Sequence, residues 1–156
     1  MIVNLIPYTN KPNANGRVYT PEAIDKMVEL FNEREMPMYG QVGYPQDILG
    51  VPVFDTSLQK VSHIVSSIKK VDGYLVGDIK ILDTPYGKHL QRLIKGVVFR
   101  PRSAGTVDVE TGIINIHKIY SFDAIPRDED AFIEYEPSFW ELVENTAEGL
   151  NGVMTA

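Results

Sequence analysis

The stretch Gln59-Lys60-Val61-Ser62-His63-Ile64-Val65-Ser66-Ser67-Ile68-Lys69-Lys70, followed by Val71-Asp72-Gly73 and then Tyr74-Leu75-Val76-Gly77-Asp78-Ile79-Lys80-Ile81, decides the fold class. Residues 59–70 and 74–81 are rich in β-branched side chains and short enough for strands. Asp-Gly between two such runs is a strong signal for a tight hairpin, because both turn positions favour positive φ. A hairpin requires antiparallel pairing, whereas parallel strands need a long crossover.

Working outward, the same logic recurs. Residues 97–109 and 113–120 flank Glu110-Thr111-Gly112 and read as a second strand pair, and Ser121 to Ile125 reads as a last strand stopped by Pro126. Residues 2–8 read as a first strand ending at Pro7. Two helices share one signature. Thr20-Pro21-Glu22 opens the first and Thr84-Pro85 the second, with threonine as cap and proline at the first helical position. Ile24, Met27, Val28 and Phe31 form the apolar face of the first, which ends near Glu33; Leu90, Leu93 and Ile94 form that of the second, ended by Gly96. Pro37, Pro45, Pro52, Gly40, Gly43 and Gly50 make residues 36–55 irregular, a long loop or short strands with loops, of the kind that often carries sites. Phe139, Trp140, Leu142 and Val143 suggest a short terminal helix, with the remaining end frayed. The order predicts an α+β chain: an antiparallel sheet or barrel decorated by two helices.

Composition bounds the function. At 156 residues one domain is expected, and 44% hydrophobic with 23% charged residues is ordinary for a globular chain. No apolar run approaches the roughly 18 residues of a membrane span, and the first residues lack a signal-peptide pattern. Zero cysteine removes disulfides, thiolate metal sites and cysteine nucleophiles. The net charge of −6 is uneven: Asp128, Glu129, Asp130, Glu134, Glu136, Glu141, Glu144 and Glu148 face no Lys or Arg after residue 127. No Lys/Arg stripe stands out to track a phosphate backbone, so free nucleic acid is not an expected partner.

Chemistry-bearing motifs are few. His63, His89 and His117 lack metal-ligand spacing, and no phosphate-cradling or dinucleotide glycine loop is present; neither metal nor cofactor is expected. His63 adjoins Ser62, but neighbours on a regular strand point to opposite faces, so those two are not expected to pair. Phe99-Arg100-Pro101-Arg102-Ser103-Ala104-Gly105 is unusual. Pro101 interrupts a hydrogen-bond ladder and predicts an edge or a bulge. Its two arginines point either to anion recognition or to salt bridges.

Six segments in order resemble the prohead (capsid maturation) serine proteases of tailed phages, relatives of the herpesvirus assembly proteases. Asn13-Ala14-Asn15-Gly16-Arg17-Val18-Tyr19 is similar to the family's Asn-x-Asn-x-Arg-x-Tyr approach to its first helix. Tyr39-Gly40-Gln41-Val42-Gly43-Tyr44-Pro45 resembles its Gly-Glu-x-x-His-Pro loop, and Val61-Ser62-His63-Ile64-Val65 its Ser-His-Ile strand. Leu82-Asp83-Thr84-Pro85-Tyr86-Gly87-Lys88 resembles the approach to the second helix, Val98 to Val107 the Gly-x-Ser-Ser-Arg-Gly-x-Gly strand, and Ser121-Phe122-Asp123-Ala124-Ile125-Pro126 the closing strand.

The resemblance implies a small antiparallel β-barrel flanked by helices, with residues 1–136 as the protease-like domain and 137–156 as an acidic tail. It also implies that catalysis is lost. The general-base histidine is replaced by Tyr44, the nucleophilic serine by Arg100 and the second serine by Pro101. Tyrosine, titrating near 10, is a poor base at neutral pH, and arginine cannot attack. The expected function is a catalytically degenerate virion or prohead protein, assembled in the bacterial host cytoplasm and oligomeric in the particle. It would bind capsid, portal or neck components through Tyr44, Arg100 and Arg102. The alternatives are an active maturation protease using Ser103 with His63 or His117, and a regulator of a true prohead protease. Thr146-Ala147-Glu148-Gly149 partly resembles a family cleavage site after Glu148.

Overall fold

The computed structural model describes residues 1–46, 49–50, 53, 56–132 and 153–156. Among the described residues seven strands and two helices run in the order β1 (Ile2–Ile6), α1 (Pro21–Asn32), β2 (Met38–Gln41), β3 (Val61–Val71), β4 (Tyr74–Ile81), α2 (Pro85–Leu93), β5 (Val97–Val107), β6 (Ile114–Pro126) and β7 (Val153–Thr155). They form two antiparallel sheets, ordered β1-β4-β3-β2 and β6-β5-β7.

The turn chemistry explains the first sheet. Asp72 and Gly73 both take positive φ, 50° and 82°, as a two-residue hairpin turn requires. The two helix caps act as expected: Thr20 Oγ1 accepts from Ala23 N at 3.1 Å, and Thr84 Oγ1 from Gly87 N at 2.9 Å. α1 lies against β6 and β3, and α2 against β3. Leu5, Ile24, Met27, Leu75, Ile79, Leu90 and Phe122 fill the core. Each such side chain contributes about 1.5–3 kcal/mol of burial.

Four expectations need correction. The described strands make two sheets rather than a closed barrel; one isolated bridge, from Val42 just beyond β2 to Ala124 of β6, is too little to close a ring. The segments 113–120 and 121–125 are one strand, β6, since Ile119 and Ser121 both pair with β5 on either side of a bulge at Tyr120. The short strand β2 inside the stretch 36–55 agrees with its reading as short strands with loops. Leu93 is 40% exposed and does not join the α2 core face, because a 3-10 turn, Ile94–Gly96, follows immediately. The chain end is not frayed: Val153–Thr155 add to the β5 edge as β7, with Met154 and Ala156 buried. The expected helix at 139–143 lies outside the described residues. No helix among the described residues is long and apolar enough to cross a membrane.

Candidate functional site

Strand β5 carries the stretch singled out in the sequence, and β6 lies beside it with Arg100 opposite Asp123 and Pro101 opposite Phe122. Pro101 immediately precedes a register shift at Arg102/Ser103, and β7 pairs with β5 only from Arg102 onward. A residue without an N–H is tolerated at such a place.

The two arginines flanking Pro101 form buried ion pairs. Arg100 donates from Nε and Nη2 to the two carboxylate oxygens of Asp130, each at 2.7 Å, and from Nη1 to the carbonyls of Asn4 and Phe99 at 2.8 and 2.9 Å. Arg102 donates from Nε to Asp123 Oδ2 at 2.7 Å, and from Nη2 to Asp123 Oδ1 at 3.3 Å and Thr56 Oγ1 at 2.6 Å. The Arg102 and Asp123 side chains are both 0% exposed. Burial pushes the Asp123 carboxyl up from its ordinary range, with Arg102 and the Gln41 N–H pulling it back. A guanidinium held in this way has no free edge to offer a partner without opening the fold. The local chemistry is therefore neutralised rather than basic. Asp130, one of the acids that follow residue 127, supplies one half of the neutralisation.

Tyr44 lies three residues beyond the end of β2. Its hydroxyl is buried and makes no hydrogen bond of good geometry among the described residues, although the Ala156 backbone lies close. Burial first, and then the charge of Asp123, hold its pKa well above the ordinary tyrosine value. The phenol is thus further from acting as a base than its type alone implies.

The relocated pair is not assembled. Ser103 is buried and its Oγ has no hydrogen-bond partner, so no imidazole nitrogen is in reach. His117 is exposed on β6. His63 is committed elsewhere, and its pairing overturns one expectation. Gly40 pairs with His63 but Gln41 with Val61, which leaves Ser62 as an extra residue on β3. Such a bulge breaks the alternation of side chains. Ser62 and His63 both turn inward, each 0% exposed. Ser62 Oγ and His63 Nδ1 lie 2.8 Å apart, and His63 Nε2 lies 2.7 Å from the Phe122 carbonyl. A carbonyl only accepts, so Nε2 carries the proton and, in the neutral ring, the Ser62 hydroxyl donates to Nδ1. Burial lowers the His63 pKa to about 4, against the opposing pull of the Phe122 hydrogen bond. This pairing of hydroxyl and oriented imidazole is what nucleophilic catalysis uses. Here it is sealed from solvent and serves as an interior hydrogen bond. A Cβ at position 40 would overlap the His63 ring, so glycine is needed there.

The Asn-x-Asn-x-Arg motif folds as the tight turn that Asn15-Gly16-Arg17 suggests. Asn13 Oδ1 accepts from the backbone N–H groups of Asn15 and Arg17 at 3.0 and 3.1 Å, shaping a tight turn. From that turn Asn15 Nδ2 donates to the Ala156 carbonyl at 2.7 Å, and Arg17 Nη1 to the Thr155 carbonyl at 3.1 Å. A groove of about 540 Å³ is lined by Arg34, Tyr39, Thr56, Leu58, Lys118 and Tyr120. Lys118 Nζ lies 5.2 Å from the Tyr120 ring centroid. Among the described residues no group of three or more His, Cys, Asp or Glu is placed to hold a metal ion.

No protein-family model matches the chain, and no curated protein matches it in sequence. In three dimensions the chain is similar to the capsid assembly protease gp21 of bacteriophage T4, with a TM-score of 0.59 and 19% identity over 80% of each chain. The fold is therefore that of a phage capsid assembly protease.

Proposed function

We propose that this chain is a phage capsid-assembly component that keeps the protease fold and does not hydrolyse peptides. The observation that carries this reading is the state of Arg100. It stands where the resemblance expects the nucleophile, and its guanidinium is closed in a bidentate pair with buried Asp130. The base position, Tyr44, holds a phenol whose pKa is raised further by burial. No hydroxyl next to an accessible imidazole replaces them among the described residues. Hydrolysis of an amide needs an activated nucleophile that substrate can reach.

What remains is binding. Arg100 and Arg102 are interior, so the contact surface is assigned instead to the groove around Arg34, Tyr39, Lys118 and Tyr120. Arginine and tyrosine are enriched at interfaces. The proposed partners are capsid, portal or neck proteins of the same phage, and the proposed location is the prohead or virion. Purified chain incubated with the scaffold and capsid proteins of its phage leaves them uncut; efficient cleavage overturns the proposal. Mass spectrometry of purified particles is expected to find the chain in defined copy number. Lys118→Glu with Arg34→Glu is expected to lower that number.

A further inference from the structure

We propose that the β5 edge at Arg102–Ala104, together with the Asn13–Arg17 turn, is a strand-binding groove. Besides the chain's own Val153–Ala156, it takes the same segment of a second copy. The proposal does not depend on the loss of hydrolysis.

The groove reads an extended backbone. Thr155, Met154 and Val153 face Arg102, Ser103 and Ala104 in antiparallel register. Beyond that ladder, two side chains from a different part of the chain reach across to the incoming strand. Asn15 Nδ2 holds the Ala156 carbonyl, and Arg17, itself buried, holds the Thr155 carbonyl. The sequence-dependent contacts are the buried Met154 side chain and the small buried Ala156. Main-chain pairing for affinity plus a few side-chain pockets for choice is how sheets recognise added strands.

All these contacts lie within residues 153–156 and their receptor, so they are the same whichever copy supplies the strand. Residues 133–152 connect Phe132 to Val153. A stretch of about 20 residues can extend to roughly 70 Å. A domain of this size has a radius of gyration of roughly 15 Å, so connectivity does not confine the strand to its own groove. Exchange of an identical element between copies is a low-cost route to association. The balance between own and foreign strand is set by the effective concentration of the tethered one.

The absence of cysteine makes a direct test possible. Ala104 and Val153 are cross-strand partners, and such Cα atoms lie within disulfide reach. A chain carrying both Ala104→Cys and Val153→Cys is expected to close an internal disulfide under mild oxidation. Two chains carrying one substitution each, mixed and oxidised, are expected to give a disulfide heterodimer whose yield rises with concentration. That yield is expected to exceed, about tenfold, a control with Val109→Cys, at a site 98% exposed, in place of Ala104→Cys. Asn15→Ala in the receptor chain is expected to lower it several-fold. A heterodimer yield equal to the control, while the double variant closes fully within one chain, overturns the exchange. A double variant that stays open overturns the groove itself.

Discussion

Strands β3 and β5 carry polar groups into the same interior by opposite means. On β5, Arg100 and Arg102 are charged, and each is matched by a carboxylate in bidentate geometry. On β3, Ser62 and His63 are neutral, and a bulge turns both inward to share one hydrogen bond. The first arrangement tolerates burial because opposite charges meet, and the second because burial itself removes the charge. The difference shows why the strand that holds the chemistry-bearing residues is not the strand whose geometry most resembles chemistry. A hydroxyl beside an imidazole is common currency for interior hydrogen bonding, and only access converts it into a nucleophile.

Breaking the charged region is expected to give the largest effect. Asp123→Ala leaves the buried Arg102 without its carboxylate, a change that costs about 3–5 kcal/mol. The double replacement Arg102→Met with Asp123→Leu removes both charges and is expected to recover most of that loss. Urea denaturation of the three proteins checks both outcomes. If Asp123→Ala is as stable as the parent chain, the ion pair is not the support described here.

The neutral region is expected to show itself through pH. The unfolded chain protonates His63 near 6.5, whereas the folded chain does so only near 4. Between these values the unfolded state binds more protons, so stability rises with pH. The contribution is complete above pH 6.5 and is lost as pH falls towards 4. Its size, at 1.36 kcal/mol per unit of pKa difference, is about 3 kcal/mol. His63→Gln is expected to flatten this part of the stability–pH curve, measured by denaturant midpoints from pH 4 to 7.

Two smaller substitutions sharpen the same contrast. Gly40→Ala drives a methyl into the His63 ring, and overpacking of this kind costs about 1–3 kcal/mol. Ser62→Ala removes one neutral hydrogen bond and is expected to cost about 1 kcal/mol, read as a shift in melting temperature. An Asp123→Ala effect no larger than that of Ser62→Ala would erase the distinction between the two strands.

Much of the architecture was legible. The Asp72-Gly73 turn, the Thr20 and Thr84 caps and the apolar face of α1 are local signals, and the structure contains all of them. The site was less legible, because its decisive contacts are long-range. Arg102 meets Asp123 across 21 residues and Arg100 meets Asp130 across 30. One signal was present: two arginines at alternate positions of a strand share a face, and the closing strand brings an acid opposite them. The Ser62–His63 bond escaped because a one-residue bulge leaves no trace in the alternation of β3 itself; it arises from the register with β2. β7 escaped because three residues at the end of an acidic segment carry too little periodicity to be read as a strand.

The turn at Asn13–Arg17 has a consequence for how the molecule is made. The Arg17–Thr155 and Asn15–Ala156 hydrogen bonds join residues 138 and 141 positions apart. Contacts of such separation contribute little to an early folding nucleus, because the loop must close before they reward it. The β3–β4 hairpin, with its two-residue turn, is the natural early element, and β7 docks onto a sheet that already exists. In kinetic terms the last strand is an addition to a finished scaffold. Its release and return are accordingly a local opening that leaves the rest of the fold standing.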